Sequence, residues 1–304
     1  MGTRNLARMS HALVLGGGGS VGIGWEAGLV TGLSEGGVDL TLADLVIGTS
    51  AGSVVGAHLR LGTDLAAYAQ ERIEAIERGE LEVPSTADIP PGQIEGLINA
   101  VTEAFKASGP EPGRALIGRF AVEAETILTR ERQMGYYAEL AGREWPEGFA
   151  CTAVETDTGK FVIWDRDSGI DLQRAVAAST AVPGIFPPVS VLGKKYMDGG
   201  MRSSINADMA KGHDTVLVIV VVDHELPPGL SDPRIELMAS RQRAELDVLT
   251  ADGTAVDVIG PDQELRELIV WGLDLMNSDR AAAAYDAGRR RGKQEAPRLL
   301  EHWS

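Results

Sequence analysis

Ser50 stands at the centre of Gly48-Thr49-Ser50-Ala51-Gly52, with a glycine two residues away on either side. Leu45-Val46-Ile47 before it reads as the end of a buried strand, and Val54-Val55-Gly56-Ala57-His58-Leu59 after it continues as a helix. A G-x-S-x-G turn between strand and helix is sharp, and it needs glycine where backbones approach one another. The serine then occupies the crest, its hydroxyl exposed above a helix N-terminus whose dipole favours the negative charge of an attacking alkoxide. The chemistry implied is nucleophilic attack on a carbonyl. In a chain with 37 glycines the same five residues also arise as a plain turn, so their meaning depends on the rest of the chain.

Such a serine needs a base for its proton and donors for the resulting oxyanion. Asp198, in Tyr196-Met197-Asp198-Gly199-Gly200, places a carboxylate at a strand end, with glycines that let another backbone come close. As a base it must be made stronger than an ordinary aspartate by burial and a short bond to the serine. The histidines are His11, His58, His213, His224 and His302. Asp223-His224 is the pair that would complete a conventional triad in the order serine, acid, histidine. The donors are supplied by Gly16-Gly17-Gly18-Gly19-Ser20-Val21-Gly22, which follows the apolar segment His11–Leu15. Its unhindered N–H groups suit an oxyanion hole. Gly17-x-Gly19-x-x-Gly22 also fits a dinucleotide fingerprint with Asp39 on a ribose, the chemistry of an oxidoreductase. Against that, Asp39 precedes the next apolar segment instead of ending it, and that segment runs into Ser50.

The elements that must position these residues follow in order. His11–Leu15 and Leu45–Ile47 are strand candidates, each leading through a glycine turn into a helix, which is the grammar of a parallel sheet covered by helices. From Asp64 to Pro146 the texture becomes helical and mixed in charge, with pieces at 66–78, 94–106, 114–122 and 129–140. This reads as an insertion that covers a sheet edge or caps a substrate cleft. Phe149–Glu155 and Lys160–Trp164 form a hairpin around Thr156-Asp157-Thr158-Gly159. A helix at 172–180, a strand buried on both faces at 215–222, a helix at 234–249, a short strand at 256–259 and terminal helices complete the chain. The expected fold is α/β, a central mostly parallel sheet flanked by helices in three layers, with residues 64–146 inserted in one domain spanning 1–304.

Composition narrows the partners. A formal net charge of −16 excludes a general nucleic-acid binder and weakens electrostatic docking to anionic lipid. The single cysteine, Cys151, rules out an intrachain disulfide and a cysteine metal cluster, and no calcium-ligand loop is evident. The first ten residues lack a signal-peptide pattern, Leu6 spoils a myristoylation pattern, and the longest apolar run, 216–222, is too short to span a bilayer. A cytoplasmic protein without a cofactor or metal is expected.

Taken together, Gly17-Gly18-Gly19-Ser20-Val21-Gly22, Gly48-Thr49-Ser50-Ala51-Gly52 and Asp198-Gly199-Gly200 resemble, in order, the signature of the patatin-like phospholipases. The likeness extends to Ala177–Pro188 and to the tail around Ala283–Gly292, and leaves out the helical region 64–146. The resemblance implies a lipid acyl hydrolase of phospholipase A or lysophospholipase type, with Ser50 as nucleophile, Asp198 as base and no catalytic histidine. It implies oxyanion donors from Gly17, Gly18 and Gly19, a lipid or acyl-ester substrate, and transient contact with a membrane surface. Val21 stands where the family usually carries Arg or Lys, which removes a positive charge near the oxyanion. The alternatives are a carboxylesterase acting on short acyl esters and a non-catalytic lipid-binding relative.

Overall fold

A computed structural model describes residues 9–301 apart from 82, 85 and 91, together with residue 303. The N-terminal residues weighed for targeting, Met1–Arg8, and His302 lie outside the described residues. Among the described residues no helix is long and apolar enough to cross a membrane.

Strands β1 (His11–Leu15), β2 (Leu45–Gly48), β3 (Phe149–Glu155), β4 (Phe161–Trp164), β5 (Val189–Val191), β6 (Lys194–Asp198), β7 (Thr215–Ile219) and β8 (Ala255–Ile259) form one mixed sheet. Its order is β5-β6-β3-β2-β1-β7-β8, with β4 also on β3. The pairs β1–β2, β1–β7, β2–β3 and β7–β8 are parallel. Those joining β3 to β4, β3 to β6 and β5 to β6 are antiparallel. β1 and β7 are apolar along most of their length and buried on both faces, as central parallel strands must be. The short edge strand β5, whose alternation covers only three residues, escapes the sequence reading, which expected only a lead into Asp198.

Helices cover both faces. α1 (Gly19–Glu35) and α2 (Ala51–Arg60) each begin one turn after a strand ends. α1 packs along α10 (Ala281–Leu299) with Gly28 and Gly32 against the backbone of Tyr285 and Arg289, and Gly288 and Gly292 against that of Trp25 and Leu29, so the two backbones meet directly. This contact explains why the small-residue tail matters to the fold. The segment expected to be an insertion contains no strand among its described residues; it holds α3 (Leu65–Glu77), α4 (Gln93–Lys106), α5 (Pro110–Glu123) and α6 (Arg130–Gly135). α7 (Leu172–Ser179) then returns the chain to β5 and β6, α8 (Pro233–Ala251) connects β7 to β8, and α9 (Gln263–Leu268) precedes α10. The large buried side chains Trp25, Leu29 and Leu33 of α1 and Phe149 of β3 belong to one continuous core. Ile205, Val216 and Val218 belong to a second cluster.

Candidate active site

The register of β3 brings the serine and the aspartate together. Cys151 pairs with both Gly48 of β2 and Trp164 of β4, while Ala153 pairs with both Val162 of β4 and Asp198 of β6. A residue has one partner on each edge, so β2 and β6 share the edge of β3 opposite β4. They run toward each other along it and end on either side of Thr152. Thr152 Oγ1 lies 2.9 Å from Thr49 Oγ1, and the incoming strands continue there as Thr49-Ser50 and as Gly199.

At the end of β2 the chain turns through Ser50, at φ 53° and ψ −116°, a conformation that a non-glycine residue adopts only when its surroundings impose it. Those surroundings are specific. Ser50 N–H donates to Ser179 Oγ at 3.0 Å, and Ser53 Oγ–H donates back to Ser50 O at 2.6 Å. Gly52 N–H donates to Gly16 O at 2.9 Å. A Cβ on Gly52 would fall 2.2 Å from Leu15 O, so only glycine lets the elbow seat against β1. Asn206, itself in the left-handed region, donates from Nδ2 to Thr49 Oγ1 at 3.0 Å and to Ser203 O at 2.8 Å, tying the elbow to the loop after Asp198. Sequence reading missed Thr152, Ser179 and Asn206. Ser179 lies within the Ala177–Pro188 stretch, but nothing in that stretch tells which hydroxyl reaches the elbow.

Asp198 is 2% exposed and hydrogen-bonds the Ser50 side chain. Its Oδ1 also accepts the Gly200 N–H at 2.6 Å. Burial pushes its carboxyl up to about 7, against the bonds from Ser50 and Gly200 that favour the anion. The pair therefore consists of a hydroxyl and a carboxylate whose basicity lies in the working range of a general base.

The glycine loop lies against this pair. Gly17 packs on the Ser50 side chain, but its N–H is already spent on Ser204 O at 2.7 Å. Expected among the oxyanion donors, Gly17 instead fastens the loop to the segment after Asp198. Among the described residues the N–H groups of Gly18 and Gly19 have no acceptor, and they form the N-terminal end of α1. Gly19 takes φ 61°, and a Cβ there would fall 2.5 Å from Leu275 O. Val21 is fully buried and is not among the residues that line the cavity at Ser50.

The four described histidines are elsewhere. His58 stacks on Tyr68 at 4.0 Å, with its Nε2 3.4 Å from Glu139 Oε1. His213 Nδ1 lies 2.9 Å from Ala210 O, and His11 packs on Trp303. His224 Nε2 lies 3.2 Å from Ser204 Oγ, and Asp223 pairs with Arg266, so Asp223-His224 is not assembled on Ser50. Asp39 caps a short turn by accepting from Thr41, a local role.

Ser50 opens into a narrow cavity of about 30 Å³ whose lining includes Gly19, Arg72, Tyr136, Phe186 and Met276. Arg72 comes from α3 and was not foreseen. Burial works against its charge, but Tyr68, Tyr137 and Glu139 outweigh it and hold the guanidinium charged. Its guanidinium lies 5.9 Å from the Tyr136 ring centroid, and among the described residues it forms no ion pair with a carboxylate. The signal for it was hidden: Arg72 looks like one of several solvated charges on a mixed helix.

A strand–elbow–helix serine beside a buried aspartate, against a glycine loop at a helix N-terminus, is an arrangement on an α/β sheet that suits nucleophilic acyl chemistry. The model of the patatin-like phospholipase family matches residues 13–211, and the chain belongs to that family. It is 25% identical over 312 residues to uncharacterized NTE family proteins of Mycobacterium bovis and Mycobacterium tuberculosis, covering 94% of this chain and 46% of each relative. The chain thus spans about half the length of those relatives. Among solved structures it is similar to VipD from Legionella pneumophila, at 12% identity and a TM-score of 0.39, over 97% of this chain and 67% of that one. It is also similar to the type III effector protein ExoU, at 15% identity and a TM-score of 0.43, over 95% of this chain and 53% of that one.

Proposed function

We propose that this chain hydrolyses acyl esters of lipids through a Ser50–Asp198 dyad and an acyl-enzyme. The observation that carries the reading is the strained Ser50 hydrogen-bonded to a buried carboxylate pushed up to about 7. Asp198 takes the hydroxyl proton as Ser50 Oγ attacks the ester carbonyl. The tetrahedral oxyanion faces the Gly18 and Gly19 N–H groups, with Arg72 adding positive charge in the same cavity. Collapse breaks the carbonyl–alkoxy bond, and the departing alcohol takes the proton from Asp198. Water then attacks the acyl-Ser50, giving its proton to Asp198, and the released serine recovers it as the fatty acid leaves.

In this account the helices of 64–146 act as a cap on one domain, supplying Arg72 and Tyr136 to the cavity wall. Leu273, 77% exposed, and Val270 precede Leu275 and Met276 beside Gly19 and supply the apolar contact with a membrane surface. The cavity of about 30 Å³ supports a second reading, a carboxylesterase for short acyl groups, because a long chain enters only if the Tyr136–Met276 wall opens. Hydrolysis of a short-chain nitrophenyl ester and of a lysophospholipid, measured with Ser50→Ala as the control, tests both. Ser50→Ala must abolish both reactions while leaving the circular dichroism spectrum intact. Activity on the short ester alone selects the carboxylesterase.

A further inference from the structure

On the other side of the Asp198 loop lies a much larger cavity, about 280 Å³. It is bounded by α4 and α5, by the loop Gly200–Ser204, and by α8. At about 30 Å³ of liquid volume per molecule it would hold about nine waters. One wall is apolar, formed by Val101, Phe105, Ile117 and Met238. The same cavity is lined by three arginines, Arg114, Arg202 and Arg241.

The three are not equivalent. Arg202 is neutralised by Asp208 and by Glu245, and its hydrogen bonds to Asn206 and Asp208 make it part of the frame. Arg114 spends only its Nε–H, on Gly159 O at 2.6 Å. Burial lowers its pKa, and Arg202 and Arg241 add repulsion that Glu111 only partly offsets. Arg241 lies over the Phe105 ring, 5.0 Å from its centroid. Among the described residues neither Arg114 nor Arg241 forms an ion pair with a carboxylate. In a chain with 44 acidic and 28 basic residues, two guanidinium groups lining one cavity, neither ion-paired among the described residues, are a local inversion of charge. Like charges held close are destabilising unless an anion lies between them. An apolar wall continuous with that pair fits a ligand that is anionic at one end and hydrocarbon along its length.

We propose that this cavity is a second lipid site for a single-chain anionic amphiphile, its carboxylate or phosphate head held by Arg114 and Arg241 and its chain lying along Phe105, Ile117 and Met238. The ligand would rest on the loop that donates Gly200 N–H to Asp198 and accepts Gly17 N–H at Ser204, so its occupancy bears on the dyad. The site is separate from the cavity at Ser50, and its binding does not depend on hydrolysis.

The test is displacement of a fluorescent fatty acid from the Ser50→Ala chain, below micelle concentrations, by dodecanoate, dodecyl phosphate and dodecanol. Saturable one-to-one displacement by dodecanoate or dodecyl phosphate is expected, with dodecanol at least tenfold weaker. Displacement by only one of the two anions identifies the head, fatty acid or phosphate. Arg241→Gln, at an exposed position, and Arg114→Gln should each weaken anion binding about tenfold and leave dodecanol within twofold. Ile117→Trp should fill the cavity and remove binding; Met238→Trp, on the opposite helix, provides the same block should Ile117→Trp unfold. Anion binding unchanged in the Arg114→Gln/Arg241→Gln double variant, or dodecanol equal to the anions, would overturn the proposal. Loss of ester hydrolysis in the wild-type chain with binding intact would count against the dyad alone.

Discussion

The elbow and the helical region 64–146 are held in place in opposite ways. Around Ser50 every backbone approach is fixed from several sides: Gly52 against Leu15, Gly17 on Ser204, and Thr49 on Thr152 and Asn206. All but the first of these contacts join segments more than a hundred residues apart in the chain, and they sit on a sheet whose central strands are buried along most of their length. In the helical region α4 has no buried residue, and its Ile94 and Ile98 are 49% and 46% exposed. α3 buries only Leu65 and Ala69. Under the proposed function the difference is a division of labour: strain is stored where chemistry needs a fixed hydroxyl, while a lightly packed cover sits where a substrate would enter.

The contrast can be broken first at the elbow. Gly52→Ala drives a methyl group into Leu15 O, and the expected loss exceeds about 4 kcal/mol. Thermal denaturation should show no cooperative transition near that of the wild type, and a folded, active Gly52→Ala protein would mean the elbow is not tightly seated. A smaller effect is expected from Arg72→Gln, on the cover but facing the serine. Loss of its charge from the cavity should lower kcat for a short ester about tenfold with little change in KM. An unchanged kcat would leave Arg72 a structural cation. The smallest effect belongs to Ile98→Ala, half exposed on α4, which should cost less than about 1 kcal/mol in urea denaturation. A cost near that of a core deletion would show that the cover is packed as tightly as the sheet.

How much of this was legible in the sequence depends on the range of the interaction. β1, β2, β3, β4 and β7, and α1 and α2, announce themselves through local apolar patterning and glycine punctuation, so the frame around Ser50 could be read directly. Asp198 at a strand end was readable too. That β2 and β6 meet on one edge of β3 was not, because register is decided by pairing across the whole chain and leaves no local mark. The same holds for Gly17: a glycine N–H looks free in sequence, and only the path of Ser204 shows that it is taken. Arg72 and Asn206 were invisible for the reason that polar residues on helices and turns are usually solvated, and only tertiary packing turns them inward. β5 was missed because three residues with one exposed member carry too little pattern.

In the proposed mechanism Asp198, and no histidine, takes the proton of Ser50. Its raised carboxyl has two consequences of opposite sign. Activity needs the anion, so it should rise as pH increases through about 7. The fold favours the protonated form, so the stability Asp198 contributes is fully present below its ordinary value of 3.8 and is lost as pH rises through about 7. The most direct measurement is the rate of fluorophosphonate labelling at Ser50, followed by intact mass from pH 5 to 9, for the wild type, Asp198→Asn and His224→Gln. The dyad predicts a wild-type profile rising with an apparent pKa near 7, a loss of about a thousandfold in Asp198→Asn at every pH, and a His224→Gln profile that overlays the wild type. Labelling retained in Asp198→Asn and lost in a folded His224→Gln protein would contradict it.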